Sequence, residues 1–242
     1  MDTAVPPDVF VPYGTTHWIV LGIGLVVAVL LVVAGRALRG HPAATTFARG
    51  FAIAILAFEI PLQIRLLTPA VWDIHISLPL QLSDLAWMTA AYALWSGRRW
   101  ACAALYYWGL TLTPQALFTP ALDAPDFPHV DFVAFWGLHL LLPWAAIYLT
   151  WGAGVRPTWR GMRTTLAITG VWAALTMTFN AVAGTNYGFL NHKPNNPSLL
   201  DLLGPWPWYV AVELVLVVVG WSLITWPWTR ARSDVAELDH DR

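Results

Sequence analysis

Residues 18–34 read Trp18-Ile-Val-Leu-Gly-Ile-Gly-Leu-Val-Val-Ala-Val-Leu-Leu-Val-Val-Ala34, with Arg36 and Arg39 close behind them. No charged or amide side chain interrupts the run. An α-helix crosses the hydrocarbon core of a bilayer with about 20 mostly apolar residues. It also satisfies its own backbone N–H and C=O groups, which lipid cannot do. The run therefore predicts a membrane-spanning helix.

Working outward, six further apolar runs have the same character, at 50–67, 78–96, 100–118, 132–151, 164–183 and 208–226. Many of the 16 tryptophans stand where such runs begin or end, among them Trp18, Trp95, Trp100, Trp151, Trp206, Trp226 and Trp228. Indole rings favour that boundary, apolar on one side and wet on the other. Charged residues make up 11% of the chain, against about 25% in a soluble domain. The net charge of −1 does not point to nucleic acid. The single cysteine, Cys102, excludes a disulfide framework. The stretch at 1–11 is acidic and Pro-rich. It lacks the basic leader of a cleaved signal peptide, so the first run is expected to be retained.

Basic residues give the direction. Arg36, Arg39 and Arg49 lie in the first connection, Arg98 and Arg99 in the third, and Arg156, Arg160 and Arg163 in the fifth. Arg230, Arg232 and Arg242 lie in the tail. The second and fourth connections hold none, and the sixth holds only Lys193. Basic loops stay in the cytoplasm. The expected fold is all-α, a polytopic bundle of seven transmembrane helices with the N-terminus outside and the C-terminus cytoplasmic. Its parts are an extracytoplasmic segment at 1–17, a transmembrane domain at 18–228 and a charged tail at 229–242. A bacterial inner or plasma membrane is the expected location.

With direction assigned, each polar residue receives a depth at about 1.5 Å per residue. Glu59, Gln63 and Arg65 fall late in span 2; Gln81, Ser83 and Asp84 fall early in span 3. Thr111, Thr113 and Gln115 are late in span 4, His139 early in span 5, Thr176 and Asn180 late in span 6, and Glu213 early in span 7. All belong to the outer half of the bilayer. Ionisable groups there are costly and mark functional sites by default. Pro61, Pro79 and Pro114 interrupt the same layer, freeing carbonyls that protein or water must satisfy. The layer predicts a polar cavity opening outward. The competing expectation is an ion-pair network that only holds the bundle, with Arg65 paired to Glu59 or Asp84.

The sixth connection, Gly184 to Tyr209, is too polar to span and too apolar for a free linker. A loop of that length reads as a lid or part of a site, and 199–203 as a short interfacial helix. Asp73 with His75, and Asp126 with His129 and Asp131, form acid–histidine clusters in outer loops. Spacing alone does not converge three ligands on a metal. Solvated loops are the expectation, with no metal or cofactor assigned.

Ser83 and His139 have matching depths in spans 3 and 5. A serine becomes nucleophilic when a base takes its proton, and histidine titrates in the right range. The opposing expectation is a serine bonded to its own helix and a structural histidine. Oxyanion donors would come from Asn180, Asn186 or loop amides.

The strings Pro79-Leu-Gln-Leu-Ser-Asp84, Tyr107-Trp-Gly-Leu-Thr-Leu-Thr-Pro-Gln115, Phe135-Trp-Gly-Leu-His139, Gly184-Thr-Asn-Tyr-Gly-Phe-Leu190 and Leu203-Gly-Pro-Trp-Pro-Trp-Tyr209 resemble the YwaF-like integral membrane family. That family also includes eukaryotic transmembrane protein 164. The resemblance covers spans 2 to 7. It implies a phospholipid acyltransferase, since the eukaryotic relative uses a cysteine nucleophile and a histidine. The family pattern Pro-Leu-His-Leu-Cys falls on Pro79 to Ser83, with Gln81 replacing the histidine and Ser83 the cysteine. The catalytic histidine falls on His139.

The leading expectation is thus a lipid acyltransferase or hydrolase with Ser83 and His139 catalytic. Glu59, Arg65, Gln81, Asp84, Gln115, Asn180, Asn186, Tyr187 and Glu213 would bind substrate. Its partners are membrane lipids and an acyl-chain substrate. The alternative is a small-molecule carrier or sensor using the intramembrane carboxylates and Arg65. A third is a structural subunit.

Overall fold

The computed structural model describes residues 9–120, 122–194 and 199–240, with side chains placed to residue 229, Leu199 excepted. The expectations for 1–8 and for Arg230, Arg232 and Arg242 lie outside the described residues and side chains.

Among the described residues the chain is all-α. It forms α1 (Thr15–Ala37), α2 (Ala43–Leu66), α3 (Leu82–Ser96), α4 (Arg99–Tyr107), α5 (Pro114–Phe118), α6 (Val130–Ile147), α7 (Trp159–Ala183) and α8 (Trp208–His240). A π-helical segment, Trp108–Leu112, joins α4 to α5, and another, Tyr148–Gly152, extends α6. The chain therefore makes seven rods. Five of them are long and apolar enough to cross a membrane: Thr15–Ala37, Ala43–Leu66, Val130–Gly152, Trp159–Ala183 and Trp208–Thr229. The outer surface agrees with that solvent. Leu25, Val29, Leu30, Val33, Val171, Leu175 and Val182 stand exposed in unbroken apolar bands, which a soluble surface of this extent does not tolerate.

The third rod corrects an expectation. Residues 78–81 precede the helix, which begins at Leu82 and runs 15 residues. Pro79 thus lies in the entering loop and interrupts nothing. The capping is local: the Asp84 carboxylate accepts the Gln81 backbone N–H at 2.8 Å, satisfying a donor that the helix start leaves open. The fourth rod is broken where Pro114 lacks an N–H, and the backbone widens into π geometry just before it. Pro61, by contrast, sits inside α2 without ending it.

The core forms around α4. Residues 101–108 are all buried, as suits a helix that is apolar all round. Ala101, Ala103 and Ala104 are small enough to admit α3 and α7 closely. Helix α1 is peripheral, but its end touches backbone. A Cβ on Gly35 would lie 2.6 Å from the Gly152 Cα, so two glycines let α1 approach the π segment after α6. The segment before α1 folds back over the α5–α6 connection. Phe10 donates its N–H to the Ala124 carbonyl at 3.1 Å, and its ring packs on Phe132 and Trp136.

Candidate functional site

A cavity of about 530 Å³ lies among α3, the α4–α5 rod, α6, α7 and α8. Its polar lining includes Gln81, Ser83, Thr113, Gln115, His139, Thr169 and Glu213. The rest is apolar, including Leu112, Leu166, Trp172, Met177, Leu190 and Val217. Gly170 and Ala174 of α7 and Leu214 of α8 line it and are also exposed on the outer surface. The cavity therefore reaches the apolar exterior between those two helices.

Ser83 is the second residue of α3. Four residues back lies Pro79 in the loop, so the usual serine bond to its own helix has no helical carbonyl to reach. The backbone N–H groups of Leu82 and Ser83 belong to the open first turn and make no hydrogen bond among the described residues. His139 comes from α6. Its Nδ1 lies 2.7 Å from the Phe135 carbonyl. A carbonyl only accepts, so Nδ1 carries the proton and Nε2 of the neutral ring is left as a base. Phe135 also packs against the imidazole, ring centroids 4.4 Å apart. Ser83 and His139 share the cavity, and no hydrogen bond joins them among the described residues.

Gln81 lies at the cavity's upper edge. Its Oε1 accepts the Gly188 N–H at 2.8 Å, which leaves the amide NH2 as donor. Gln115 is held by a 3.2 Å bond from its Nε2 to the Thr111 carbonyl. Glu213 lines the wall, and no basic side chain pairs with it among the described residues.

The remaining predicted site residues are elsewhere. Arg65 bonds Asp131 at 3.2 Å on an exposed surface, so the expected pairing with Glu59 or Asp84 is corrected. The α6 start and the α2 end meet there, outside the bundle interior. Asp84 caps its own helix. Glu59 is 6% exposed in α2, its Oε1 has no hydrogen-bond partner among the described residues, and an acidic group near it is Asp84. Neither carboxylate lines the cavity.

Asn180, Asn186 and Tyr187 form the scaffold of the loop above. The Asn180 amide donates to the Tyr187 carbonyl at 2.9 Å and to Asn191 Oδ1 at 3.0 Å. Its Oδ1 accepts from Thr185 Oγ1 at 2.8 Å and Tyr187 N at 2.9 Å. The Asn186 amide is occupied by His192 and Asn191 in the same way. Asn180 therefore has no donor left for an oxyanion. The Tyr187 hydroxyl donates to the Ile74 carbonyl at 2.6 Å and accepts from Leu78 N at 3.0 Å. Burial raises that phenol above its ordinary pKa, so it stays a neutral donor. The loop roofs the cavity, with Gly188 and Leu190 in its lining. A 3₁₀ turn runs Leu199–Leu203, and the Tyr209 hydroxyl donates to the Phe189 carbonyl.

The TMEM164 family model matches residues 12–225. The chain belongs to the TMEM164 family. It is accordingly an integral, multi-pass membrane protein. No curated protein and no solved structure matches it.

In this TMEM164 protein the acid–histidine loops serve the backbone. Asp73 accepts from His75 N, His129 accepts from Asp131 N at the start of α6, and Asp126 accepts from Phe127 N as well as from the Thr16 hydroxyl. No group of three acidic, histidine or cysteine side chains is arranged to hold a metal among the described residues. The sequence reading passed over the mid-span tryptophans. Trp108 donates to Thr169 Oγ1, Trp172 to the Leu80 carbonyl and Trp221 to Thr111 Oγ1. Their signal was position: an indole N–H in hydrocarbon needs an internal acceptor.

Proposed function

We propose that the protein transfers or hydrolyses an acyl group of a membrane lipid, with Ser83 as nucleophile and His139 as base. The observation that carries this reading is the shared cavity. Two helices contribute a hydroxyl and a histidine to one space whose walls are largely apolar and which reaches the exterior between α7 and α8. An acyl chain would enter by that side. His139 Nε2 takes the Ser83 proton as Oγ attacks the ester carbonyl. The tetrahedral oxygen is met by the open first-turn amides of Leu82 and Ser83, where the helix end is also positive. The proton passes to the departing lysolipid oxygen, leaving an acyl-serine. Water or a second alcohol, deprotonated by His139, then releases the acyl group.

Seven spans, with the N-terminus outside, complete the proposal. The two rods that are not among the five long apolar helices, α3 and α4–α5, pack against neighbours that would carry them across. The roof then faces outward and the arginine-bearing connections face the cytoplasm.

The test uses purified protein in lipid nanodiscs and a phospholipid with a labelled acyl chain. Ser83→Ala and His139→Ala are each expected to lower turnover about 10²–10⁴-fold. Ser83→Cys is expected to retain activity. Equal rates in parent and alanine variants reject both roles. Glu213, unpaired in the same cavity, favours a second reading, a carrier for a small cation. Reconstituted flux lost in Glu213→Gln but intact in Ser83→Ala would replace the first reading with it.

A further inference from the structure

A second cavity, of about 920 Å³, lies at the opposite end of the molecule, away from Ser83. It is bounded by the α3–α4 connection, the start of α7, the segment before it and Trp228 and Thr229 of α8. Arg99, Arg156 and Arg160 line it, together with the aromatic side chains of Trp100, Tyr106 and Trp228. Among the described residues the lining contains no carboxylate. None of the three guanidinium groups makes an ion pair or hydrogen bond among the described residues.

Topology alone does not require this arrangement. Arginines that set orientation need only lie in the right loops, and others here are used locally. Arg39 Nε donates to the Gly152 carbonyl at 2.6 Å, and Arg49 packs over the Trp95 ring at 5.1 Å. Arg99, Arg156 and Arg160 instead come from two separate connections and converge on one space. Three like charges line it with no paired counter-charge among the described residues. Helices α4 and α7 also carry an arginine and no acidic residue in the first turn. That order opposes the helix dipole, which favours anions at the N-terminus. Both costs vanish when an anion occupies the cavity. Planar guanidinium groups match phosphoryl oxygens with paired N–H bonds. The aromatic and aliphatic lining, with Ala103, Val155 and Pro157, suits a group attached to an apolar body at the membrane boundary.

We propose that this cavity binds a phosphoryl anion, carried by an anionic glycerophospholipid headgroup or free in solution. The site is separate from the acyl-transfer reading and stands or falls without it.

The experiment is native mass spectrometry and intrinsic tryptophan fluorescence on the full chain in neutral detergent. The probes are dihexanoyl phosphatidylglycerol, dihexanoyl phosphatidylcholine and inorganic pyrophosphate. One phosphatidylglycerol per chain is expected to bind saturably, about tenfold tighter than phosphatidylcholine. Arg99→Gln, Arg156→Gln and Arg160→Gln are each expected to weaken it about tenfold, while Arg49→Gln leaves it unchanged. Pyrophosphate that competes at the same site identifies the phosphoryl group itself as the ligand. Failure to compete identifies the lipid headgroup. Equal binding of the glycerol and choline lipids by the parent chain overturns the proposal without any variant. Binding unaltered by the three substitutions overturns it as well.

Discussion

Asn180 shows how much one side chain carries here. It is buried and makes four side-chain hydrogen bonds within the roof. Asn180→Ala removes all four and strands the Tyr187 N–H. Stability is expected to fall by about 2–4 kcal/mol, measured as a lower unfolding temperature and faster proteolysis at 184–194. Glu59 is the opposite case. Its buried Oε1 has no hydrogen-bond partner among the described residues, and the Asp84 carboxyl is near it. Glu59→Gln keeps the shape and is expected to stabilise the bundle by about 1 kcal/mol or more. A lower melting temperature would mean that the carboxylate has a partner the geometry does not contain. Both residues were legible in the sequence as intramembrane polar groups, but not their roles. Residue type and depth are the same whether an amide binds substrate or ties a loop. Only the positions of its acceptors tell them apart.

At the scale of elements, packing hinges on small residues. Gly35→Ala places a methyl group 2.6 Å from the Gly152 Cα, and backbone cannot step aside as a flexible side chain can. The expected loss is about 1–3 kcal/mol. Gly22 lies on the same helix with nothing within 4 Å of its would-be Cβ. Gly22→Ala is therefore expected to be neutral or mildly stabilising through helix propensity. Equal melting temperatures for the two variants would mean that α1 does not approach α6 so closely. The apolar runs located the rods well, since hydropathy acts on each one alone. They missed the start of α3, where Leu78 and Leu80 read as span but serve as loop. They also missed the π segments, because a widened turn keeps the same residues and changes only their registry. Gly184 closes α7 with a left-handed φ of 69°, as a helix-ending glycine should.

For the whole molecule, the proposed direction rests on the arginine pattern, and accessibility tests it. In a Cys102→Ser background, His75→Cys is expected to react with an impermeant maleimide in intact cells. His41→Cys, in the α1–α2 connection, is expected to react only after permeabilisation. The reverse result would invert the bundle and put the Ser83 cavity in the inner leaflet. The sequence by itself determined that the chain crosses a membrane repeatedly and where its apolar helices lie. The bilayer's thickness and its intolerance of charge judge each run separately. Tertiary structure alone decided which polar groups meet. Ser83 and His139 came to one cavity, whereas Glu59, Arg65 and Asp84 did not, although all were read at one depth. Depth follows from counting residues along a helix. Facing follows from how each helix is rotated and where it is broken, and only its packing against the others sets that.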